Sequence, residues 1–418
     1  MALTAAFGLE IKQYDALNAF VNSLIDEVVY VAPPPGRMRG VYMDPSCALR
    51  LRRALYGLRR SPRLWQLELT ATLRNLGLEP IAEEPCLFVG YGIIILVYVD
   101  DILLFYLPHN HRKADDIAQS LQKQYELRYE GNGESFLGVK INRDRTRRTV
   151  HLSSTDYIRK IISRFHMDER MAPTPLTKAL SPYGGVATAK DIHHYQQKVG
   201  CINYAAIATR PDIAKVASHL ASFMLNPGPE HFLAVDRVLA YLNYTQHVGI
   251  QYNGDAEPAE CFTTSSDAAF GDNPDRRSSE GYLAMLYGGP IDWRASRQKT
   301  VTTSSTEAEL LAMSEVGKTL LWWKRLFKAI DFDPEHDLTI KGDNQQTLRI
   351  LTKEDPMIRT KLRHVDIHQH WLRQEVQAKR ISVQWVPTSM MPADGFTKLL
   401  TGQRFANFVR LLRLTEFT

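Results

Sequence analysis

The chain has 418 residues, of which 44% are hydrophobic and 23% charged, with a formal net charge of +5. That length suits two or three domains of about 100–200 residues, with ample apolar content for sizeable cores; the mildly basic balance is compatible with a polyanionic partner without demanding one. Cys47, Cys86, Cys201 and Cys261 stand far apart with no Cys-x-x-Cys pair, which excludes a zinc ribbon and a disulfide framework and fits a reduced, intracellular setting.

In chain order, Ala2 to Gln13 reads as a helix end running into a strand, and Val28 to Val31 as a second strand stopped by Pro33-Pro34-Pro35-Gly36. A helical pattern spans Leu49 to Leu76, with Ser61-Pro62 as a new helix start inside it. Cys86–Val89, Ile93–Val99 and Ile102–Tyr106 read as strands, the last two forming a hairpin with Asp100-Asp101 at its turn. The apolar stretch from Gly92 to Leu107 is broken by those aspartates and falls short of the ~20 residues a membrane span needs, and the N-terminus has no basic region followed by an apolar signal core.

His111–Glu126 predicts a helix, Phe136–Ile141 and Val150–Leu152 short strands, and Asp156–Phe165 and Tyr195–Tyr244 a helix-rich middle, with a linker marked by Pro173, Pro175, Pro182 and Gly184-Gly185. A further boundary falls near Asp255–Ala259. Beyond it the pattern predicts strands at Cys261–Ser266, Gly281–Leu286, Leu338–Lys341 and Ile381–Val386. Helices are expected at Thr306–Ile330, Asn344–Leu351 and His364–Ala378, with a helical tail. There is no internal repeat or low-complexity tract.

Two acidic constellations carry chemistry. Asp15 ends the alternating run Leu9–Tyr14, and Asp100-Asp101 sit at the hairpin turn. Read alone, the pair is an ordinary turn dipeptide. Adjacent carboxylates between apolar strands nevertheless repel and raise each other's pKa, a cost that a bound divalent cation removes. Between Arg50 and Arg63 lie six arginines, with Tyr56 and Trp65 close by; this mixture suits a groove tracking a phosphate backbone, or else a solvated helix face.

The second set is Asp267 at the end of a strand, Glu309 on the helix opened by Ser304-Ser305-Thr306, Asp343 after a strand, and Asp394 in Met391-Pro392-Ala393-Asp394. Singly, these are first-turn helix acids, a helix cap and a loop aspartate. Acids at strand ends and near helix starts can also converge above one sheet, as a two-metal phosphodiester hydrolase requires. His364, His368 and His370 near Asp366 share part of a helix but lack both the glutamate of a metalloprotease helix and partner cysteines, so a surface helix is the expected reading.

Three motifs in the first half share a family likeness. Val97-Tyr98-Val99-Asp100-Asp101-Ile102-Leu103 resembles the polymerase signature of reverse transcriptases. Gln13-Tyr14-Asp15-Ala16-Leu17-Asn18-Ala19-Phe20 resembles the copia form of their first aspartate motif. Leu55-Tyr56-Gly57-Leu58-Arg59-Arg60-Ser61-Pro62-Arg63-Leu64-Trp65 resembles the copia template and nucleotide motif. The second half follows suit: Ser266-Asp267-Ala268-Ala269-Phe270-Gly271, Arg297-Gln298-Lys299-Thr300-Val301, Thr306-Glu307-Ala308-Glu309 and the Ala393-Asp394 to Thr397-Lys398 ending resemble a copia-type ribonuclease H.

The chain as a whole, from Ala2 to about Phe408, thus resembles the reverse transcriptase–ribonuclease H region of a copia-type retrotransposon Pol polyprotein. No aspartic-protease triplet, zinc knuckle or integrase finger appears. The resemblance implies an α+β reverse-transcriptase palm, an antiparallel sheet plus helices, over residues 1–150. A helical thumb/connection is implied over 151–257 and an α/β ribonuclease H-like domain over 258–418.

By the same resemblance Asp15, Asp100 and Asp101 bind two Mg²⁺ ions, with Mn²⁺ as a substitute, and Asp267, Glu309, Asp343 and Asp394 bind two more. Glu309 is preferred to Glu307, which lies on another helix face. Phe20 and Gly57 contact the incoming nucleotide. Arg59, Arg60, Arg63 and Arg363 contact nucleic acid.

The implied function is RNA-directed DNA synthesis coupled to hydrolysis of RNA in the RNA–DNA hybrid. Its partners would be an RNA template, the hybrid, deoxynucleoside triphosphates and other Pol and Gag parts, without a membrane. The setting would be a cytoplasmic virus-like particle and the nucleus. Only fourteen residues precede Asp15, so the family's longer fingers portion, with its triphosphate-gripping basic residues, is expected to be missing, which argues against DNA synthesis by the chain as it stands. Two other readings stay open: a hybrid-specific ribonuclease with an inactive palm, and a non-catalytic nucleic-acid-binding remnant.

Overall fold

The computed structural model describes the chain except residues 34–36, 39–40, 43, 45, 258–260, 353–362 and 418; for residues 37–38, 41–42 and 363–365 it describes the backbone alone. The described chain divides into two compact units, Leu9–Gly133, and Met1–Gly8 together with Glu134–Thr418.

Helix α1 (Ala2–Phe7) ends on Gly8 at φ 65°, a left-handed cap that glycine adopts without a Cβ penalty, and the chain enters strand β1 (Glu10–Ala16). In the Leu9–Gly133 unit, β2 (Tyr30–Val31), β3 (Arg37–Met38), β4 (Val41–Tyr42) and β5 (Leu49–Arg50) make two small ribbons, β2 with β5 and β3 with β4.

Helix α2 (Ser61–Asn75) follows, then β6 (Glu79–Pro80), β7 (Leu87–Gly90), β8 (Ile93–Tyr98), β9 (Asp101–Tyr106), helix α3 (His111–Gln124) and β10 (Leu127–Gly131). The main sheet has six strands in the order β10-β1-β9-β8-β7-β6, every pairing antiparallel. Strand β8 reads Ile-Ile-Ile-Leu-Val-Tyr, a β-branched run suited to an inner strand. The helical stripes Trp65, Leu69, Leu73 and Ala114, Ile117, Ala118, Leu121 close a core over Ile95, Val97, Ile102 and Leu104.

The helix expected from Leu49 begins only at Ser61. Gly57 sits at φ 92°, and the Ser61 hydroxyl both accepts from the Leu55 amide (3.1 Å) and donates to the Leu55 carbonyl (2.6 Å), folding the preceding segment into a loop. Pro62, in the first turn, then costs no intrahelical bond.

The other unit, after α1, contains β11 (Ser135–Phe136), β12 (Val139–Asp144), β13 (Thr149–Ser153), α4 (Thr155–Arg164), α5 (Ala189–Ala208), α6 (Ala214–Ala221), α7 (Pro229–Tyr244) and β14 (Val248–Asn253). The expected helical middle is thus three helices beyond Ala189, broken at Pro211 and at Gly228-Pro229.

It continues with β15 (Phe262–Ala269), β16 (Ser279–Leu286), β17 (Gly289–Arg297), α8 (Ser305–Ala329), β18 (Thr339–Gly342), α9 (Gln345–Thr352), α10 (Arg363–Gln377), β19 (Ser382–Trp385), α11 (Asp394–Thr397), α12 (Gly402–Leu411) and β20 (Leu414–Glu416). Strands β3, β4, β5, β6, β10, β14, β17 and β20 had not been anticipated, β5 lying in the segment expected to be helical.

Two five-stranded sheets organise this unit. One runs β11-β12-β13-β14-β20, so the last strand pairs with the strand that follows the helical middle. The other runs β17-β16-β15-β18-β19, antiparallel on the β17-β16-β15 side and parallel through β15-β18-β19.

The helical middle packs Ile158, Tyr195, Val199, Ile202, Leu220, Val235 and Leu239 into one core with Leu283 and Met285 of β16 and Phe396, Phe405 and Phe408 of α11 and α12. At its α5–α6 junction the fully buried Arg210 makes a bidentate pair with Asp212 (3.0 and 2.7 Å) and donates to Thr245. The Tyr241 hydroxyl donates to the same aspartate at 2.6 Å.

Candidate active sites

In the Leu9–Gly133 unit, Asp15 on β1 faces Asp101 on β9 in register, and the Ala16 amide donates to the Asp100 carbonyl at 2.8 Å. Asp15 and Asp101 thus lie on adjacent strands at one end of the sheet, with Asp100 in the turn that precedes β9. Tyr98 pairs with Asp101 across a two-residue turn, and Val99 sits at φ 57°, a conformation that β-branched residues rarely take. The Trp65 indole donates to the Val99 carbonyl and holds that turn.

Burial first, then the charges of Asp100, Asp15 and Glu130, pushes the Asp101 carboxyl above its ordinary range. Arg128 on β10 reaches Asp15 Oδ2 at 3.3 Å and Glu130 at 2.6 Å.

Phe20 is buried and its ring lies 4.4 Å from that of Tyr56, while a Cβ on Gly57 would meet nothing within 4 Å. Arg59 and Arg63 are exposed; Arg60 pairs with Asp26 and with Glu27 at 3.6 Å. Arg363 opens α10, and its side chain lies outside the described residues, as does the basic run 359–362.

In the second unit, Asp267 on β15, Glu309 on α8 and Asp343 after β18 each bring a carboxylate oxygen to within 4.8 Å of one another. Among the described residues this is the one trio of acidic, histidine or cysteine groups that converges so closely. The parallel pairing of β15 with β18 sets Asp267 and Asp343 side by side, and α8 packs across β15 to deliver Glu309.

Asp267 and Glu309 are 1% and 6% exposed. Burial pushes the Glu309 carboxyl up to about 9, with Asp267 and Asp343 adding to it. Burial likewise raises Asp267 to about 6, against the pull of Lys398. Two buried acids that resist ionisation beside a third form an all-oxygen donor set suited to a hard divalent cation.

The neighbouring acids have other employment. Glu307 accepts from the Thr303 amide and hydroxyl, both at 2.7 Å, while Ser304 caps α8 by accepting from the Glu307 amide. Asn344 caps α9 through the Thr347 amide at 3.0 Å, which frees the Asp343 carboxylate.

Around the trio stand residues that sequence reasoning had not assigned. Thr388 donates to Asp343 Oδ2 at 2.8 Å, and the Trp385 indole donates to the Asp343 carbonyl at 3.0 Å. Thr397 donates to Asp267 Oδ2. Lys398 pairs with Asp394 and lies 3.7 Å from Asp267. Thr397 and Lys398 stood inside a recognised motif; the signal overlooked was their place at the end of the short helix that starts at Asp394, Thr397 as its last residue and Lys398 as its C-cap.

That helix comes close because Gly281, opposite Asp267 on β16, has no side chain: a Cβ there would lie 2.5 Å from the Cβ of Phe396.

With these geometries in view, the comparisons with known proteins assign the family. Residues 1–178 match the family model for reverse transcriptase (RNA-dependent DNA polymerase). The chain is 30% identical over 97% of its length to the Retrovirus-related Pol polyprotein from transposon TNT 1-94 of Nicotiana tabacum, of which it spans 31%. It is 31% identical over 72% of its length to the putative transposon Ty5-1 protein of Saccharomyces cerevisiae, covering 98% of that protein. A solved foamy viral protease-reverse transcriptase in complex with RNA/DNA hybrid aligns over 93% of this chain and 46% of that one, at 16% identity and a TM-score of 0.49.

The chain belongs to the reverse transcriptase family of copia-type retrotransposon Pol polyproteins.

Proposed function

We propose that the chain hydrolyses the RNA strand of an RNA–DNA hybrid at the Asp267 centre, within a reverse transcriptase region whose palm carries a separate nucleotidyl-transfer site. The observation that supports it best is the convergence of Asp267, Glu309 and Asp343, two of them buried, beside a mixed sheet with Asp394 on the adjoining helix.

Asp267, Glu309, Asp343 and Asp394 would hold Mg²⁺, or Mn²⁺ in its place, which supplies Lewis acidity and an activated water. The chain's own residues orient the carboxylates. Thr388 and Trp385 fix Asp343, Thr397 fixes one oxygen of Asp267, and burial on the inner face of α8 keeps bulk water from Glu309. A cavity of about 940 Å³ beside the site is lined by Lys215, Arg276, Arg297 and Lys398 against the two acids Asp272 and Asp275, leaving a net positive wall for a sugar–phosphate backbone. Such recognition reads hybrid shape and the 2′-hydroxyl with little sequence preference.

RNA-directed DNA synthesis is the second reading, favoured by Asp15 and Asp101 facing each other in register beside Asp100. Its partners would be an RNA template and deoxynucleoside triphosphates, with other Pol and Gag parts supplied by the longer polyprotein in a cytoplasmic virus-like particle and the nucleus.

One paired assay tests both. Purified chain in Mg²⁺ is given a labelled RNA–DNA hybrid in one tube and a primed RNA template with deoxynucleotides in the other. Hybrid cleavage abolished by Asp343→Asn supports the ribonuclease; extension abolished by Asp100→Asn supports the polymerase. A folded chain that does neither defeats both readings and leaves a nucleic-acid-binding remnant.

A further inference from the structure

Asp267 takes part in two groupings at once. One of its oxygens belongs to the trio with Glu309 and Asp343. Its Oδ2 faces the Lys398 ammonium at 3.7 Å, and the same ammonium pairs with Asp394 Oδ1. The carboxylates therefore define two places for positive charge that share Asp267. The Glu309–Asp343 side has no lysine or arginine ion-paired to it among the described residues, whereas the Asp394 side holds a covalently attached cation.

The lysine has room to leave. It is half-exposed, follows the last residue of α11, and lines both cavities that flank the site, of about 720 and 940 Å³. A four-carbon stem can swing a compact ammonium between alternative acceptors at little cost.

We propose that Lys398 is a built-in counter-ion that fills the second cation position. A divalent cation loads first at Asp267–Glu309–Asp343, and the Asp267–Asp394 side admits another only after the ammonium swings out. This rests on the metal-dependent ribonuclease reading. It makes Lys398 a positioning residue that keeps four acids together before loading and sets the order in which they are loaded. Where a group occupies a position nine-tenths of the time, apparent affinity for a competitor falls about tenfold.

The test is a Mn²⁺ titration of EDTA-stripped full-length chain, followed by calorimetry and by the electron paramagnetic resonance of free Mn²⁺. Every arm carries Asp15→Asn and Asp100→Asn, so that the palm contributes no competing site. The chain with Lys398 should bind one ion ahead of a weaker second. Lys398→Met should leave the first step in place and tighten the second about tenfold. Lys398→Arg should keep the second step weak.

The melting temperature should also rise more on Mn²⁺ saturation in Lys398→Met, because its metal-free acids lack the ammonium. Identical two-step isotherms for the lysine and methionine proteins, both melting cooperatively, would overturn the inference while leaving the ribonuclease reading standing. Loss of both steps in Lys398→Met would overturn it as well, by making the lysine a support of the site instead of an occupant. A folded chain that binds no Mn²⁺ in any arm overturns the ribonuclease reading and this inference with it.

Discussion

The Trp65 indole donates a hydrogen bond to the backbone carbonyl of Val99, the residue at positive φ that turns the chain between Tyr98 and Asp101. A residue from the arginine-rich motif thus braces the turn that carries the palm aspartates, and Tyr125 packs edge-on against the same ring at 5.1 Å. Trp65→Phe keeps much of the packing and removes the donor. We expect a loss of roughly 1–2 kcal/mol in urea unfolding. Primer extension should fall further than hybrid cleavage, since the turn belongs to the palm. An equal fall in both activities would show that the bond serves general stability alone.

The buried acids of the Asp267 centre predict an unusual pH response. Glu309 is raised to about 9 from an ordinary 4.5, and Asp267 to about 6 from 3.8. The folded protein therefore keeps protons that the unfolded chain has released. Stability should fall as pH rises, from about 4 to 6 for Asp267 and on to about 9 for Glu309. Saturating Mg²⁺ should flatten that decline, because a cation stabilises the ionised forms. Melting temperatures in EDTA and in Mg²⁺ across this window are the measurement; parallel curves would contradict the assignment.

Gly281→Ala should act on the Asp267 centre without touching a carboxylate. The added Cβ meets Phe396 at 2.5 Å and its backbone carbon at 3.1 Å, so α11 must shift with Asp394, Thr397 and Lys398. Hybrid cleavage should drop at least about tenfold, since misplacements near 1 Å cost up to about a hundredfold. Primer extension serves as the internal control.

Asp212→Ala should be among the most destabilising single changes. It strands a fully buried guanidinium that now makes two bonds to that carboxylate, at a cost of about 3–5 kcal/mol. Replacing Arg210 and Asp212 together with methionine and leucine should recover a good part of the loss. Chemical denaturation of the single and double variants separates the stranded charge from simple loss of packing.

Much of this architecture can be read in the residues, for reasons that also mark where reading stops. Asp15 and Asp343 follow alternating runs that read as strands, while Asp267 follows the polar Thr263–Ser266 and was legible through its motif; β15 runs on past it to Ala269. Glu309 could be separated from Glu307 by helix face, and the structure gives Glu307 a capping task instead.

The donors around the acids were harder to see. Thr388 meets Asp343 across 45 residues and Thr397 meets Asp267 across 130, and no local pattern encodes such meetings. Strand β20 has three residues and owes its extended form to pairing with β14, a tertiary cause that propensity does not carry. Strand β17 alternates Ile291, Trp293 and Ala295, but Gly289-Pro290 and Asp292 obscure it. The helix expected from Leu49 shows the opposite error: apolar spacing suggested a turn-by-turn stripe that the Leu55–Ser61 loop interrupts.

Helix α1 belongs to the same compact unit as Glu134–Thr418, although the Leu9–Gly133 unit lies between them in the chain. Ala2 and Ala5 share a core with Val150 and Tyr252, and the Ala6 carbonyl accepts from Arg148. At the far end, β20 closes the sheet that contains β13 and β14. In order of synthesis, then, α1 emerges long before anything it packs on, and that sheet lacks its edge strand until Leu414–Glu416 have been made. At about 5–20 residues per second the intervening palm has many seconds to fold by itself as a self-contained insert. The Asp267 unit, by contrast, cannot complete that sheet before Leu414–Glu416 emerge, so synthesis stopped short of them would yield a folded first sheet beside an unfinished second unit.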